Sequence, residues 1–360
     1  MEKLLWKAYQ GLAETYDCTL IGPPGCTEFL NDAQKHIASQ SQGVAGFLWH
    51  ATHQSLRITR EKKFDLVIGG SGLVAPVLWL LQKLKGINSS CFIHGLDLVV
   101  INTLYQTLFV PCIRHLGGVI CNSSNTARIA TSKGVHSNKI CVINPGVETN
   151  TPIAPKSALK NMSKIGGHPI VLSAGRLIKR KGILPFVEHC LPKVVEEIPN
   201  VRFVVIGGEP TNAIKKEQPV TETILDAARR QNIENNIVML GKTDDKILLS
   251  AYAEAEVFVF PLIDVPGDIE GFGMVALEAA AQGLPTVAFD CGSVSDAVID
   301  GKTGWLIEPD NYDAMAKTII ESVTEDNKRS MHDACIAHAQ SLNWDQFNHK
   351  LNQHVKGLLS

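Results

Sequence analysis

The chain has 360 residues, of which 45% are hydrophobic and 19% charged, with 34 Lys/Arg against 36 Asp/Glu. That make-up belongs to a soluble globular protein long enough for two domains. A formal net charge of −2 gives no general attraction to nucleic acid or lipid.

Met1, Glu2 and Lys3 lead into an amphipathic helix over Leu4–Tyr16 rather than a signal peptide. Cys18–Ile21 is a short strand closed by Gly22, Pro23, Pro24 and Gly25. Phe64–Ile68 is a strand ending on Gly69, Gly70, Ser71 and Gly72, with a helix to Leu84. The run Leu66–Gln82 is the longest without charge, but its glycines and Pro76 make it strand, turn and helix rather than a membrane span. Ser90–Ile93, Gly118–Asn122 and Ile140–Ile143 follow as strands, with a helix over Ser123–Gly134. Residues 147–168 lose periodicity and have linker composition.

The rhythm restarts with a strand from Ile170 to Gly175. A helix over 183–198, the strand Arg202–Ile206, a helix over 221–231, a strand over 237–240 and a helix over 245–253 come next. Then come the strand Val257–Phe260, an Ala-rich helix carrying Glu278, the strand Pro285–Ala288, a short helix near 293–299 and the strand Thr303–Ile307. Helices near 311–323 and over 329–359 end the chain. Short apolar strands alternating with helices predict parallel α/β sheets, here two in series: two Rossmann-like domains with parallel sheets facing a central cleft.

The most informative stretch runs from Asp268 to Pro285. Glu270 and Glu278 are eight positions apart, which puts them on one face if helical. Gly271, Phe272 and Gly273 let backbone amides approach a ligand, and a helix starting there directs unpaired N–H groups at it. One carboxylate can accept from a sugar hydroxyl and the other from a ribose diol, which suits a nucleotide-sugar. A second candidate is the loop after Gly175. Arg176 can grip phosphate oxygens and Lys181 adds a compact charge; the alternative is a solvated basic turn. Gly207, after a strand, marks a tight turn or a close approach. Leu240 and Lys242 can bring backbone to a nucleobase or simply form a β-to-α turn. His94, ending a buried strand before Gly95, either faces the cleft or is satisfied by backbone groups.

Nine scattered cysteines without a Cys-x-x-Cys pair read as reduced thiols in a cytoplasmic protein, with no metal site. Residues 1–145 carry 13 Lys/Arg and 8 Asp/Glu. Such a basic half can face an anionic acceptor or membrane surface, or can be scattered solvated charge. There is no Asp-x-Asp, Gly-x-Ser-x-Gly, phosphate-loop or His-Glu-x-x-His pattern.

Taken in order, these elements resemble glycosyltransferase family 4, retaining enzymes of the GT-B fold. The resemblance rests on Glu270 to Glu278 with the Gly-Phe-Gly turn, on Gly175, Arg176, Lys181 and Gly182, on Gly207 and Gly208, on Val257–Pro261 and Gly301–Pro309, and in the first half on Asp65–Gly72, Ile93–Asp97 and Asn144–Val147. It implies that Glu270 binds donor-sugar hydroxyls with amides near Phe272, Gly273, Met274 and Val275, and that Glu278 binds the ribose. Arg176 and Lys181 would hold the diphosphate, and His94 would sit near the reacting sugar. It further implies an acceptor-binding domain over 1–146, a linker over 147–168, a donor-binding domain over 169–338, and a terminal helix over 339–360 crossing back to the first domain. The expected partners are a UDP- or GDP-sugar donor and a glycan or lipid-linked acceptor, with no nucleic acid and no essential metal. Peripheral contact with the inner membrane surface and a role in lipopolysaccharide or exopolysaccharide synthesis complete the expectation. An epimerase on the same fold is the enzymatic alternative.

Two positions depart from the family's pattern. Met1–Trp6 already reads as the first helix, so the opening strand and its Gly-Gly loop have no counterpart, which makes an inactive donor-binding or scaffold protein a further alternative. Ser124 stands where an Arg is often found.

Overall fold

A computed structural model of the chain describes all residues except 1, 31–33, 42, 150–158, 160, 163–164, 210–219 and 326. Most of the predicted linker therefore lies outside the described residues. The chain divides into two compact units, Met1–Gly146 with Trp344–Ser360, and Val147–Asn343.

The first unit runs α1 (Glu2–Ala13), β1 (Leu20–Gly22), β2 (His36–Ala38), α2 (Val44–Glu61), β3 (Leu66–Gly69), α3 (Ala75–Lys85), β4 (Asn88–Ile93), α4 (Leu96–Val99), α5 (Thr103–His115), β5 (Gly118–Cys121), α6 (Ser124–Ser132) and β6 (Ile140–Val142). Strands β3-β4-β5-β6 form a parallel sheet, and β1 pairs with β2 in a separate parallel pair. Among the described residues no strand borders the outer edge of β3.

Alternation along β4 sorts its side chains between two cores. Cys91 and Ile93 pack with Ala75, Leu78 and Ile113 from α3 and α5. Phe92 packs on the other face with Leu4, Ala8 and Leu12 of α1. That face also receives the last helix of the chain, α14 (Trp344–Leu359), which buries Phe347, Leu351 and Val355 at a helical spacing of four. Each such apolar side chain contributes roughly 1.5–3 kcal/mol when fully buried. Asn88 Nδ2 donates to the Leu358 carbonyl at 2.7 Å, and Ser90 Oγ lies 2.9 Å from His354 Nε2.

The second unit holds β7 (Ile170–Ala174), α7 (Ile183–His189), α8 (Leu191–Glu197), β8 (Arg202–Ile206), α9 (Val220–Arg230), β9 (Ile237–Gly241), α10 (Asp245–Glu254), β10 (Val257–Phe260), α11 (Met274–Ala281), β11 (Thr286–Phe289), β12 (Gly304–Ile307), α12 (Tyr312–Thr324) and α13 (Asn327–Ser341). Its six parallel strands take the order β12-β11-β10-β7-β8-β9. All of β7, β10 and β11 is buried, as expected for parallel strands covered on both faces. The chain leaves β7 towards β8 on one side and leaves β10 towards β11 on the other. Neighbouring strands β7 and β10 therefore flank a topological switch point, where loops part and leave a crevice.

Four differences from the sequence-based reading have local causes. The helix predicted over 183–198 is two helices, because Pro192 has no N–H to continue the ladder. The terminal stretch is also two helices. Its break at Leu342 and Asn343 bonds to Val147, whose N–H donates to the Leu342 carbonyl at 2.9 Å. The helices α2 and α5 have no counterpart in the sequence reading: α2 buries only Ala51 and Ser55, and α5 carries Pro111 inside it.

Candidate active site

The second unit gathers its charged groups at the switch point. The loop after β7 turns through a single 3-10 turn, Lys179–Lys181, and enters α7. Gly182 makes the junction with φ 67°, and a Cβ there would lie 1.7 Å from the Pro261 carbonyl oxygen. Only glycine allows the β7 loop to press on the β10 loop so closely. The Ile263 N–H donates to the Arg180 carbonyl at 3.0 Å and stitches the two loops together.

This stitching brings two cations onto one carboxylate. Lys181 Nζ donates to Glu270 Oε2 at 2.8 Å. Arg180 approaches the same oxygen through Nε and Nη2, both at 3.3 Å. Its Nη1 donates to both oxygens of Asp268 at 3.1 Å. All these contacts to Glu270 use Oε2; none uses Oε1. The Glu270 side chain keeps 14% exposure, and among the described residues Oε1 has no partner, so it can accept from a ligand. Burial by itself would raise the Glu270 carboxyl, but Lys181 and Arg180 outweigh it and hold it below its ordinary value. Burial draws the Lys181 ammonium down, with Glu270 opposing. The ammonium also sits 4.4 Å from the centre of the Phe260 ring, which favours the cation.

Other predicted residues cluster around this pair. A Cβ on Gly175 would sit 3.9 Å from Lys181 Nζ and 3.8 Å from Val275, so the β7 loop, the lysine and the first turn of α11 meet. Gly273 begins α11 with φ 92°, a Cβ there would lie 3.3 Å from the Phe260 ring, and among the described residues no side chain caps the helix. The first amides of α11, from Met274 and Val275, are thus left for a ligand. Phe272 is buried, so its contribution is through backbone. Gly271 and Glu270 precede the helix. The two glutamates do not share a helical face, because Gly273 starts the helix only after Glu270 has passed. Glu278 lies within α11 and accepts from Tyr252 Oη at 3.3 Å.

The strand ends next to β7 are zipped by backbone. The Gly175 N–H donates to Ile206 at 2.9 Å and the Gly207 N–H to Gly241 at 2.8 Å. Gly207 has φ 141°, and a Cβ there would meet the Gly175 carbonyl at 1.7 Å. Leu240 is half-buried in β9, and Lys242 is exposed just beyond it. Arg176 is exposed and has no side-chain partner among the described residues. It lines a small pocket with Ser173, Gly175, Leu177 and Lys181.

His94 belongs to the first unit. Its Nε2 lies 2.9 Å from the Gly70 carbonyl oxygen, and its backbone N–H donates to Asp97 Oδ2 at 2.8 Å. Asp97 Oδ1 accepts from the Gly72 N–H at 3.2 Å and so ties the ends of β3 and β4 together. Burial lowers the imidazole's proton affinity despite the nearby Asp97. A neutral ring bonded to a carbonyl through Nε2 carries its proton there and leaves Nδ1 as the acceptor.

Arg180 and Asp268 were not singled out from sequence. Three successive basic residues, Lys179 to Lys181, give no sign of which side chain turns inward. The one available signal was Asp268 two positions before Glu270. Among the described residues no group of three or more His, Cys, Asp or Glu is arranged to hold a metal ion. None of the described helices is long and apolar enough to cross a membrane.

Two parallel α/β units, with paired acids and bases at the switch point of the second, define a protein of the GT-B class. The chain belongs to the glycosyltransferases: residues 156–340 match Glycosyl transferases group 1, and residues 1–151 match Glycosyltransferase Family 4. A GDP-mannose-dependent alpha-(1-6)-phosphatidylinositol monomannoside mannosyltransferase of Mycolicibacterium smegmatis is 27% identical over 56% of this chain, which spans 51% of that enzyme's length. A D-inositol 3-phosphate glycosyltransferase of Corynebacterium aurimucosum is 28% identical over 79% of this chain and 69% of its own. The crystal structure of Anabaena HepE with UDP and glucose superposes with a TM-score of 0.78 at 18% identity, covering 99% of this chain and 95% of HepE. That last likeness concerns the fold.

Proposed function

We propose that the protein is a retaining glycosyltransferase that moves a hexose from a UDP- or GDP-sugar to a glycan or lipid-linked acceptor. The observation that carries this reading is the half-used carboxylate of Glu270: Oε2 is held by Lys181 and Arg180, and Oε1 is left to accept from a sugar hydroxyl. Lys181 and Arg176 neutralise the diphosphate, and the first amides of α11 add donors at a helix N-terminus. Glu278, on α11, takes the ribose. His94 receives or orients the reacting sugar through Nδ1.

In the transfer, the anomeric carbon–phosphate oxygen bond breaks while the acceptor oxygen bonds to the same face of that carbon. The acceptor proton passes to the departing phosphate oxygen. The cations stabilise charge that develops on the leaving nucleoside diphosphate, an electrostatic contribution that needs no metal. The relatives that use GDP-mannose and the fold neighbour that holds UDP and glucose support an NDP-hexose donor. Placement in bacterial lipopolysaccharide or exopolysaccharide synthesis rests on analogy alone.

A donor screen tests the reading. UDP, GDP and their glucose, mannose and N-acetylglucosamine derivatives are added in a thermal-shift assay. The stabilised donor is then incubated with glycan and glycolipid acceptors, with and without EDTA. Transfer that survives EDTA is the expected result. Conversion of the donor to an epimer without acceptor, or no stabilisation by any nucleotide, defeats the proposal.

A further inference from the structure

Three successive residues of the loop after β3 are held by side chains from β4 and the short segment that follows it. The Gly70 carbonyl faces His94 Nε2 at 2.9 Å, the Ser71 carbonyl accepts from Cys91 Sγ at 3.1 Å, and the Gly72 N–H donates to Asp97 Oδ1 at 3.2 Å. Asp97 uses its second oxygen, Oδ2, to accept from the backbone N–H of His94 at 2.8 Å. One carboxylate therefore holds both the loop and the residue whose imidazole leans on that loop.

Gly72 opens a 3-10 turn, Gly72–Val74, and Ser71 stands at its N-cap. A serine hydroxyl in that place ordinarily accepts from the first amides of the turn. Among the described residues Ser71 makes no such bond, and Asp97, 25 positions on, takes the Gly72 amide instead. A Cβ on residue 72 would lie 2.7 Å from the Tyr105 hydroxyl and 3.0 Å from Asp97 Cβ, so glycine lets the amide reach the carboxylate. The cap comes from the segment that carries His94, and a shift of one must shift the other.

The Gly70 carbonyl fixes the imidazole proton on Nε2, and it keeps its place only while Gly72, two residues on, is held. We infer that Asp97 is a positioning residue for the transfer reaction: its two oxygens lock the β3 loop and the His94 backbone into one block, which keeps the imidazole in its Nε2–H form and presents Nδ1 to the reacting sugar. Both of its partners are N–H donors. Asparagine in its place would keep one acceptor and turn its own NH2 on the other amide. The inference rests on the role proposed for His94 above.

Asp97→Asn, Asp97→Ala and a control, Asn102→Ala, test it in the full chain. Asn102 caps α5 by accepting from the Tyr105 N–H at 2.9 Å and takes no part in the clamp. Asp97→Asn should lower kcat about tenfold and Asp97→Ala about a hundredfold, with donor KM and the thermal shift given by UDP or GDP unchanged. Nitrogen NMR of the His94 ring should show the Nε2–H form in wild type and a mixture of both tautomers in Asp97→Asn, which keeps the shape of the side chain. Asn102→Ala should lower the thermal midpoint while kcat and the His94 ring signals stay as in wild type. A kcat within about twofold of wild type in Asp97→Asn, or the Nε2–H form kept intact there, overturns the inference. So does an equal loss of kcat in Asn102→Ala, which would reduce Asp97 to a support of the fold. Absence of turnover with every acceptor would defeat the transferase reading, and the ring signals of Asp97→Asn would then decide the role of Asp97 by themselves.

Discussion

Lys181 and Glu270 are 89 positions apart in the sequence and 2.8 Å apart in space. Their contact is made entirely through Oε2, the oxygen that Arg180 also uses. Glu270 is therefore positioned by protein on one side and presented on the other. Glu270→Gln keeps the shape but removes the charge that orders the two cations. Turnover should fall on the order of a thousandfold, comparable with loss of a strong electrostatic group. The thermal midpoint should move by only a few degrees. A steady-state rate within about tenfold of wild type would remove Glu270 from the site.

Arg180 touches Asp268 and Glu270 together, so its two acids should be coupled. Asp268→Asn frees Nη1, and we expect turnover to drop about tenfold with a smaller change in donor KM. Arg180→Gln should cost at least as much. The double variant should be no worse than Arg180→Gln by itself, because both changes undo one arrangement. Additive losses in the kinetic cycle would show the side chains acting independently.

Gly207 has no space for a side chain. Gly207→Ala puts a methyl 1.7 Å from the Gly175 carbonyl at a φ of 141°. Destabilisation of about 3 kcal/mol or more is expected, since backbone must move. Gly301→Ala is the control, with φ 69° but open space around it, and should cost only about 1 kcal/mol. Urea unfolding of the two variants gives the comparison, and equal midpoints would contradict it.

The lowered proton affinity of Glu270 makes a pH prediction. A carboxyl whose folded value lies below its unfolded value, about 4.3, contributes stability above that unfolded value. It loses the contribution as pH falls through the folded one. Wild type should therefore lead Glu270→Gln in urea stability near neutral pH, and the gap should close below about pH 4. A gap that is constant from neutral to acid pH would mean the ion pair does not track the titration of Glu270.

The nine cysteines are all free thiols, five of them buried. Burial pushes Cys121 and Cys335 up to about 12, and Cys291 rises to about 12 with Asp264 adding to the effect of burial. The thiolate is the reactive form. Ellman titration of the native protein at mildly alkaline pH should therefore show fast reaction at no more than Cys18, Cys26, Cys112 and Cys141, with the others appearing on unfolding. Fast labelling of Cys121 in peptide maps would contradict its burial.

Much of the second unit was legible because fully buried parallel strands write themselves as apolar runs, such as Val257–Phe260 and Ile170–Leu172. Gly175, Lys181 and Val275 could be found as residues near loops, but not as neighbours, since only strand order places β7 beside β10. Arg180 stayed hidden among three adjacent cations. The helices α2 and α5 escaped for opposite reasons. Most of α2 is only partly covered, and α5 keeps its helix through Pro111, whose missing N–H is compensated by packing around Val110 and Ile113. The face-sharing argument for Glu270 and Glu278 failed on the backbone of Gly273.

The placement of β7 beside β10 also orders events during synthesis. There are 82 residues between Ala174 and Val257, and the ribosome delivers the basic loop well before the acids that complete it. During that interval Arg180 and Lys181 wait for Asp268 and Glu270, the two acids they hold in the finished fold.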